Sequence, residues 1–165
     1  MHSCCQKKIV NQIVEQKADY LIALKKNQPG LYERVNKLFQ SVLFQDKVDL
    51  NLSSHTVFKS SHGRTEARYY HVLNNVSEIV DKEQKWSELN SIVRVEYLRK
   101  LKKGKIKLKN RYYITSLSKN AEELAEYVLS THALFFLLIH RKVRHIKHFL
   151  KLNADIKSDL RFENS

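Results

Sequence analysis

Apolar residues recur along this chain with two different periods, and the change of period marks its organisation. From Lys7 to Lys17, Ile9, Val10, Ile13 and Val14 fall on one stripe of a 3.6-residue repeat and predict a short amphipathic helix. Tyr20 to Leu24 is a compact apolar run between Asp19 and the polar stretch Lys25-Lys26-Asn27-Gln28-Pro29-Gly30, which predicts a buried strand entering a loop. Pro29 suits a first helical turn, where its missing N–H costs nothing. Leu31, Val35, Leu38, Phe39, Val42 and Leu43 then repeat at helical spacing to about Phe44.

Between Asp46 and Leu117 the period becomes two. His55 to Lys59 reads as a short strand and Arg64 to Leu73 as a longer one, with Glu66, Arg68, Tyr70 and Val72 on one face and Ala67, Tyr69, His71 and Leu73 on the other. In Ser91 to Arg99, Val93, Val95 and Tyr97 alternate with Arg94, Glu96 and Leu98. A partner run from Ile106 to Leu117 follows a turn at Lys103-Gly104, which predicts a hairpin. Helical spacing returns with Ala121, Leu124, Ala125, Val128 and Leu129, opened by Asn120 and Glu123 at capping-box separation. Ala133 to Ile139 is apolar on every side and is read as a helix needing burial in a core; beyond it, up to Ser165, no steady period holds.

Composition and charge change the picture in one respect. The 165 residues, with 42% hydrophobic and 28% charged side chains and only three Gly and one Pro, are those of a folded chain and exclude collagenous or linker-like classes. Thirty Lys and Arg against 17 Asp and Glu leave a net charge of +13, and the excess is clustered. Leu98 to Arg111 carries eight basic residues and no acid, and Arg141 to Lys151 adds five more with two His. Clustered cations are an electrostatic footprint for a polyanion, so nucleic acid is the expected partner. The longest apolar run has seven residues, far below the roughly 20 that cross a bilayer. No secretory signal opens the chain, and the adjacent Cys4 and Cys5 build no disulfide framework, so a reducing cytoplasm and no membrane are expected, with Cys4 and Cys5 as ordinary thiols.

Four stretches carry a resemblance that periodicity does not supply: Cys5-Gln6-Lys7-Lys8; Asp19-Tyr20-Leu21-Ile22-Ala23-Leu24-Lys25-Lys26-Asn27-Gln28; His62-Gly63-Arg64-Thr65-Glu66-Ala67-Arg68-Tyr69-Tyr70; and Arg111-Tyr112-Tyr113-Ile114-Thr115-Ser116-Leu117. In this order they resemble landmarks of bacterial insertion-sequence transposases, in the branch of H-repeat-associated proteins. The resemblance covers roughly residues 4 to 132. It implies an α/β (α+β) fold: a partial RNase H-like core of the DDE class with a β-rich insertion and flanking helices. Residues 1–45 would then be the core remnant, 46–117 the insertion, 118–132 the helix returning to the core, and 133–165 a divergent basic tail, encoded out of frame or forming a separate helix pair.

The family's chemistry uses three carboxylates to hold two magnesium ions, one activating water or a 3′-hydroxyl and the other stabilising the leaving oxygen of a phosphodiester. The resemblance places the first Asp before Met1 and the second at or beside Met1, and the expected Glu segment is replaced after His132. No catalytic or metal-binding residue can be assigned, so the expectation is a catalytically incomplete transposase-family chain that retains no magnesium but contacts DNA, with a homodimer implied by the family. A stand-alone basic nucleic-acid-binding module is the alternative, and a membrane-surface role for Leu134 to Lys151 ranks last. Glu122, Glu123 and Glu126 are expected to be a solvated first turn favoured by the helix dipole, and His145 and His148, three apart, lack the further ligands of a metal site.

The DNA-contacting candidates are Lys25, Lys26 and Asn27 of the second landmark, His62, Arg64 and Arg68 of the third, and Lys100, Lys102, Lys103, Lys105 and Lys107 at the hairpin tip. Arg64 and Arg68, about 13 Å apart on one strand face with Glu66 between them, either span neighbouring phosphates or form a structural salt-bridge ladder. A further expectation is that the strand Tyr20 to Leu24 loses its cover when the preceding core strands are missing. The functional expectation is testable directly: pure protein given duplex ends with magnesium or manganese should neither nick nor join them, and reproducible metal-dependent cleavage would refute it.

Overall fold

The two periods become helices and strands of one mixed α+β architecture. The structure, a computed structural model, describes residues 2–44, 50–61, 64–83, 85–101, 104–130 and 136–140. In chain order the elements are α1 (His2–Glu15), β1 (Ala18–Leu24), α2 (Pro29–Phe44), β2 (Leu52–Ser61), β3 (Arg64–Leu73), α3 (Ser77–Val80), β4 (Ser91–Lys100), β5 (Ile106–Thr115), α4 (Ala121–Ser130) and β6 (Phe136–His140). The strands form a single six-stranded sheet in the order β2-β3-β4-β5-β1-β6, with every neighbouring pair antiparallel.

Helices cover both faces of the inner part of this sheet. On one face Val10 and Ile13 of α1 and Leu31, Val35, Leu38 and Phe39 of α2 pack on Tyr20, Ile22 and Leu24 of β1, Ile92 of β4 and Tyr112 and Ile114 of β5. On the other, Ala121, Leu124, Ala125 and Val128 of α4 pack on Leu21, Tyr70, Val72, Val93, Val95 and Tyr113. Tyr112 docks α2: its ring lies edge-on to Tyr32 at 5.3 Å, and its hydroxyl donates to Asn36 Oδ1 at 2.7 Å. The capping box at α4 forms as its spacing predicts. The Glu123 N–H donates to Asn120 Oδ1 at 2.9 Å, and the Asn120 N–H donates back to the Glu123 carboxylate at 3.3 Å. Glu123 also pairs with Lys119, so it has a structural role that the solvated reading omits.

Two expectations change. The apolar run read as a helix contributes a strand: Phe136–His140 pairs with Ile22–Ala18 of β1. A few apolar residues are enough for a strand but short for a helix, and here they satisfy the backbone groups of an edge that β1 would otherwise present. Nor is β1 uncovered. Tyr20, Leu21, Ile22 and Leu24 are all buried, because the helices on the two faces come from this chain itself. The connection from β3 to β4 adds to that cover: α3 is followed by Asp81, which is buried and accepts the N–H groups of Lys85 and Trp86 at 3.1 and 2.8 Å, and Tyr20 donates its hydroxyl to Ser87 O at 3.0 Å.

β1 is tied to β5 by more than the ladder. Thr115 Oγ1, wholly buried, donates to Tyr20 O at 2.6 Å. Ser116 Oγ donates to Asp19 at 2.9 Å and accepts the Tyr20 N–H at 3.1 Å. Two landmarks far apart in sequence thus meet as neighbouring strands. Thr115→Val, which removes one donor and leaves a buried carbonyl short of a partner, should cost about 1–2 kcal/mol in urea unfolding. Hydrogen exchange should show the amides of β1 and β4 losing protection together; β1 opening alone in the variant would show that the sheet is two units.

Candidate nucleic-acid interface

Length mismatch creates the site. Strands β2 to β5 have ten residues each, about 33 Å, whereas α4 has ten residues and spans about 15 Å. The helices therefore cover only the inner half of these strands. Burial follows: β4 is buried from Ser91 to Val95 and opens towards Lys100, and β5 is exposed from Ile106 to Arg111 and buried from Tyr112. Among the described residues the outer half projects as a four-stranded blade with no helix on either face.

On the α4 side, register sorts the charged side chains onto one face. Lys59, Glu66, Arg99 and Lys107 lie opposite one another across β2, β3, β4 and β5, and Arg68, Tyr97 and Lys109 form the next row inward. Arg111 follows two residues after Lys109. Glu66, Arg68, Tyr97, Arg99, Lys107, Lys109 and Arg111 line one cleft of about 280 Å³.

Glu66 organises this cleft. It accepts Arg68 Nε at 2.5 Å and Arg99 Nε and Nη2 at 3.1 and 2.7 Å, and its side chain is only 13% exposed. Burial by itself would push its carboxyl up; the hydrogen bonds from Arg99 and Arg68 outweigh that and hold it below the usual carboxylate range. The Arg68 and Arg111 guanidinium carbons each lie 5.3 Å from the Tyr97 ring centroid, one coming from the strand on each side of β4. Burial also pushes the Tyr97 phenol up, with Tyr113 adding to the shift, so the ring stays neutral. The result is a set of cations held in place by one carboxylate and one aromatic ring.

The candidates from sequence divide accordingly. Arg68 is in the cleft, 11% exposed at its side chain, and of the two readings of the Arg64–Glu66–Arg68 stretch, the salt-bridge one is the contact formed by Glu66 and Arg68, with Arg99 as a second partner. Lys107 lines the cleft. Lys100 does not: it pairs with Ile106 on the opposite face, so the hairpin-tip lysines are not one patch. Lys105 lies in the connecting loop, which is closed by the Leu101 N–H to Lys105 O at 2.8 Å and by Gly104 at φ 74°, a conformation suited to glycine. Lys25, Lys26 and Asn27 are exposed in the loop that follows the last pair of the β1–β5 ladder, Leu24–Tyr112, and do not line the cleft. His62, Lys102 and Lys103 lie outside the described residues, as do the side chain of Arg64 and the whole segment Arg141 to Lys151. Tyr97, Arg99, Lys109 and Arg111 were missed. The signal for two of them, Lys109 and Arg111, was their period-two spacing from Lys107, which places them on one strand face with the residue already chosen.

The cleft suits anions and not divalent cations. Its single carboxylate is taken by two guanidinium groups, whereas the magnesium pair of DDE chemistry needs several free carboxylate oxygens. Among the described residues, no three His, Cys, Asp or Glu gather at one place, and no helix is long and apolar enough to cross a membrane.

The chain is 33% identical over 156 residues to putative transposase YncI of Escherichia coli O157:H7, covering 92% of this chain and 37% of that relative. It is 30% identical over 125 residues to H repeat-associated putative transposase YhhI of Escherichia coli strain K12, covering 73% and 32%. It is also 33% identical over 113 residues to an uncharacterized protein in the dhlA 3′ region of Xanthobacter autotrophicus, covering 68% and 36%. The chain thus spans about a third of the length of these relatives. No family model and no solved structure matches it. A match over 92% of the chain leaves about a dozen residues outside it, so similarity to the first relative runs on past His132 and into the basic tail, further than the four landmarks reach.

Glu66 generates the prediction here. Its folded pKa lies below the ordinary glutamate value, so the stability it contributes is complete above that ordinary value and is lost as pH falls through the lowered folded one. Glu66→Gln should cost about 1–3 kcal/mol near neutral pH, because Arg68 and Arg99 are left facing each other. The gap between wild type and variant in urea unfolding should narrow as pH falls below the ordinary glutamate range; a gap independent of pH would show that the carboxylate does not hold the two guanidinium groups.

Proposed function

We propose, from the kinship of this chain with bacterial transposases of the H repeat-associated kind, that its outer β-blade is a DNA-contact surface of such a protein. The observation that carries this reading is the row Lys107, Lys109, Arg111 on one face of β5, flanked by Arg99 and Arg68. Alternate residues of a strand are about 6.7 Å apart, so three exposed cations stand in line over about 13 Å, spaced to meet successive phosphates.

Contacts of this kind position DNA without reading its sequence. Arg68 and Arg99, fixed by Glu66, present guanidinium forks with little freedom left to lose, whereas the β5 lysines act as point charges. In the same reading α1, β1 and α2 belong to an RNase H-like core and β2 to β5 to its insertion. The chain holds DNA without supplying the metal-binding carboxylates, which are contributed elsewhere in an active transposase, and it works in the cytoplasm, where bacterial DNA lies.

Affinity for a short duplex, followed by fluorescence anisotropy across a salt series, tests the assignment. Each phosphate neutralised adds about 0.9 to the slope of log affinity against log salt. The variant Lys107→Gln, Lys109→Gln, Arg111→Gln should flatten the slope by roughly 2–3. Lys100→Gln, on the opposite face, should change it little. A triple variant with the wild-type slope would overturn the assignment of the contact to this face.

A further inference from the structure

At the end of these strands away from the basic cleft, four oxygens gather with one proton among them. Asn74 follows β3, Ser91 opens β4 and Leu117 lies just past β5. Ser91 Oγ is 2.5 Å from Asn74 Oδ1, 2.8 Å from Asn90 Oδ1 and 2.6 Å from Leu117 O. A hydroxyl has a single hydrogen, so it satisfies one of these three acceptors and meets the other two lone pair against lone pair. Reversing an amide would ordinarily supply the missing donor, but both amide nitrogens are engaged. Asn74 Nδ2 donates to Lys119 O at 3.2 Å, and Asn90 Nδ2 donates to Asn75 Oδ1 at 3.4 Å. Turning either one round would set oxygen against oxygen at its far end. Ser91 is wholly buried, whereas Asn74, Asn90 and Leu117 are partly buried, which leaves the cluster within reach of solvent at the rim of the sheet.

We propose that this cluster is a sodium site, in which Asn74 Oδ1, Asn90 Oδ1, Ser91 Oγ and Leu117 O take up one ion and water completes its shell. The donors select the ion. Oxygen ligands suit a hard cation, and a set with no carboxylate, in a chain of net charge +13, suits one positive charge better than two. The close spacing of the four oxygens favours a small ion. Such a site differs in donors and in charge from a carboxylate-held magnesium pair, and it is independent of the DNA-contact reading, since the blade lies at the other end of the strands. Its ligands come from three segments of chain: the exit of β3, the entry of β4, where Ser91 pairs with Thr115, and the exit of β5. Asn74 reaches on to Lys119, just ahead of α4. A bound ion therefore clamps the inner ends of three neighbouring strands.

Thermal unfolding of the full chain in about 300 mM sodium chloride and in about 300 mM choline chloride compares the two cations at equal screening. Sodium should raise the midpoint by roughly 3–6 °C, and the sodium NMR line should broaden as protein is added. Ser91→Ala, which removes one ligand oxygen, should lose most of that shift and of the broadening. Asn90→Asp keeps the shape and puts a carboxylate in the shell. It should bind sodium at least ten-fold more tightly and should also be stabilised by millimolar calcium, which leaves the wild type unchanged. Were the cluster only a hydrogen-bond network with Asn90 reversed, the same substitution would remove a donor, and no cation would restore the lost stability. A wild type that melts alike in sodium and choline, a Ser91→Ala variant with the full sodium shift, or an Asn90→Asp variant that no cation stabilises would overturn the proposal. If Ser91→Ala fails to fold, Asn90→Asp decides the question.

Discussion

Register across β3, β4 and β5 is the constraint on which everything else in this protein depends. The ladder is unbroken from Leu73–Ile92 to Thr65–Lys100, and from Ser91–Thr115 to Lys100–Ile106. Side chains alternate with a period of two, so a slip of one residue in any of these strands would carry its whole set to the other face. At the inner end the slip would take Val93 and Val95 away from α4 and bring Arg94 under it. At the outer end it would move Lys107, Lys109 and Arg111 to the opposite face. The burial of the inner half holds the register, and the outer half inherits its two faces from it.

That inheritance explains how a bare blade can be well ordered. Among the described residues its outer half has no helix on either face, yet its strands continue ladders that begin inside the core. On the charged side, Glu66 takes the place of a hydrophobic contact. One carboxylate bonded to guanidinium groups from β3 and β4 links two strands, and Tyr97 between Arg68 and Arg111 extends the link to β5. Like charges that would repel are spaced by an anion and a ring. Arg68, Arg99 and Arg111 are thereby held in place, which reduces the conformational entropy left for them to lose.

The N-terminal segment enters the same sheet through β1. Thr115 and Ser116 hydrogen-bond to Tyr20 and Asp19, so the strand that closes the hairpin also anchors the segment that carries α1 and α2. The loop after β1, with Lys25 and Lys26 exposed, follows directly on the Leu24–Tyr112 pair. The likeness to transposases, read from four separated stretches, gathers in this sheet: the second is β1 and its loop, the third lies in β3, and the fourth runs out of β5 into Ser116 and Leu117.

Local pattern determined much of this protein. The stripes of α1, α2 and α4, the capping box at Asn120 and Glu123, the strand alternation of β3 and β4, and the excess of cations around the hairpin are all legible along the chain, because each depends on residues within one or two turns or on a single strand. Other features were not legible. The helix read over Ala133 to Ile139 gives way to a strand because β1 offers an edge, and only the assembled sheet contains that edge. Glu66 meets Arg99 at a separation of 33 residues, and Lys100 parts from Lys107, because strand neighbours and register place them. A sequence sets which side of its own strand a residue takes; tertiary structure decides which strands lie beside it, since pairing joins residues that no local spacing relates.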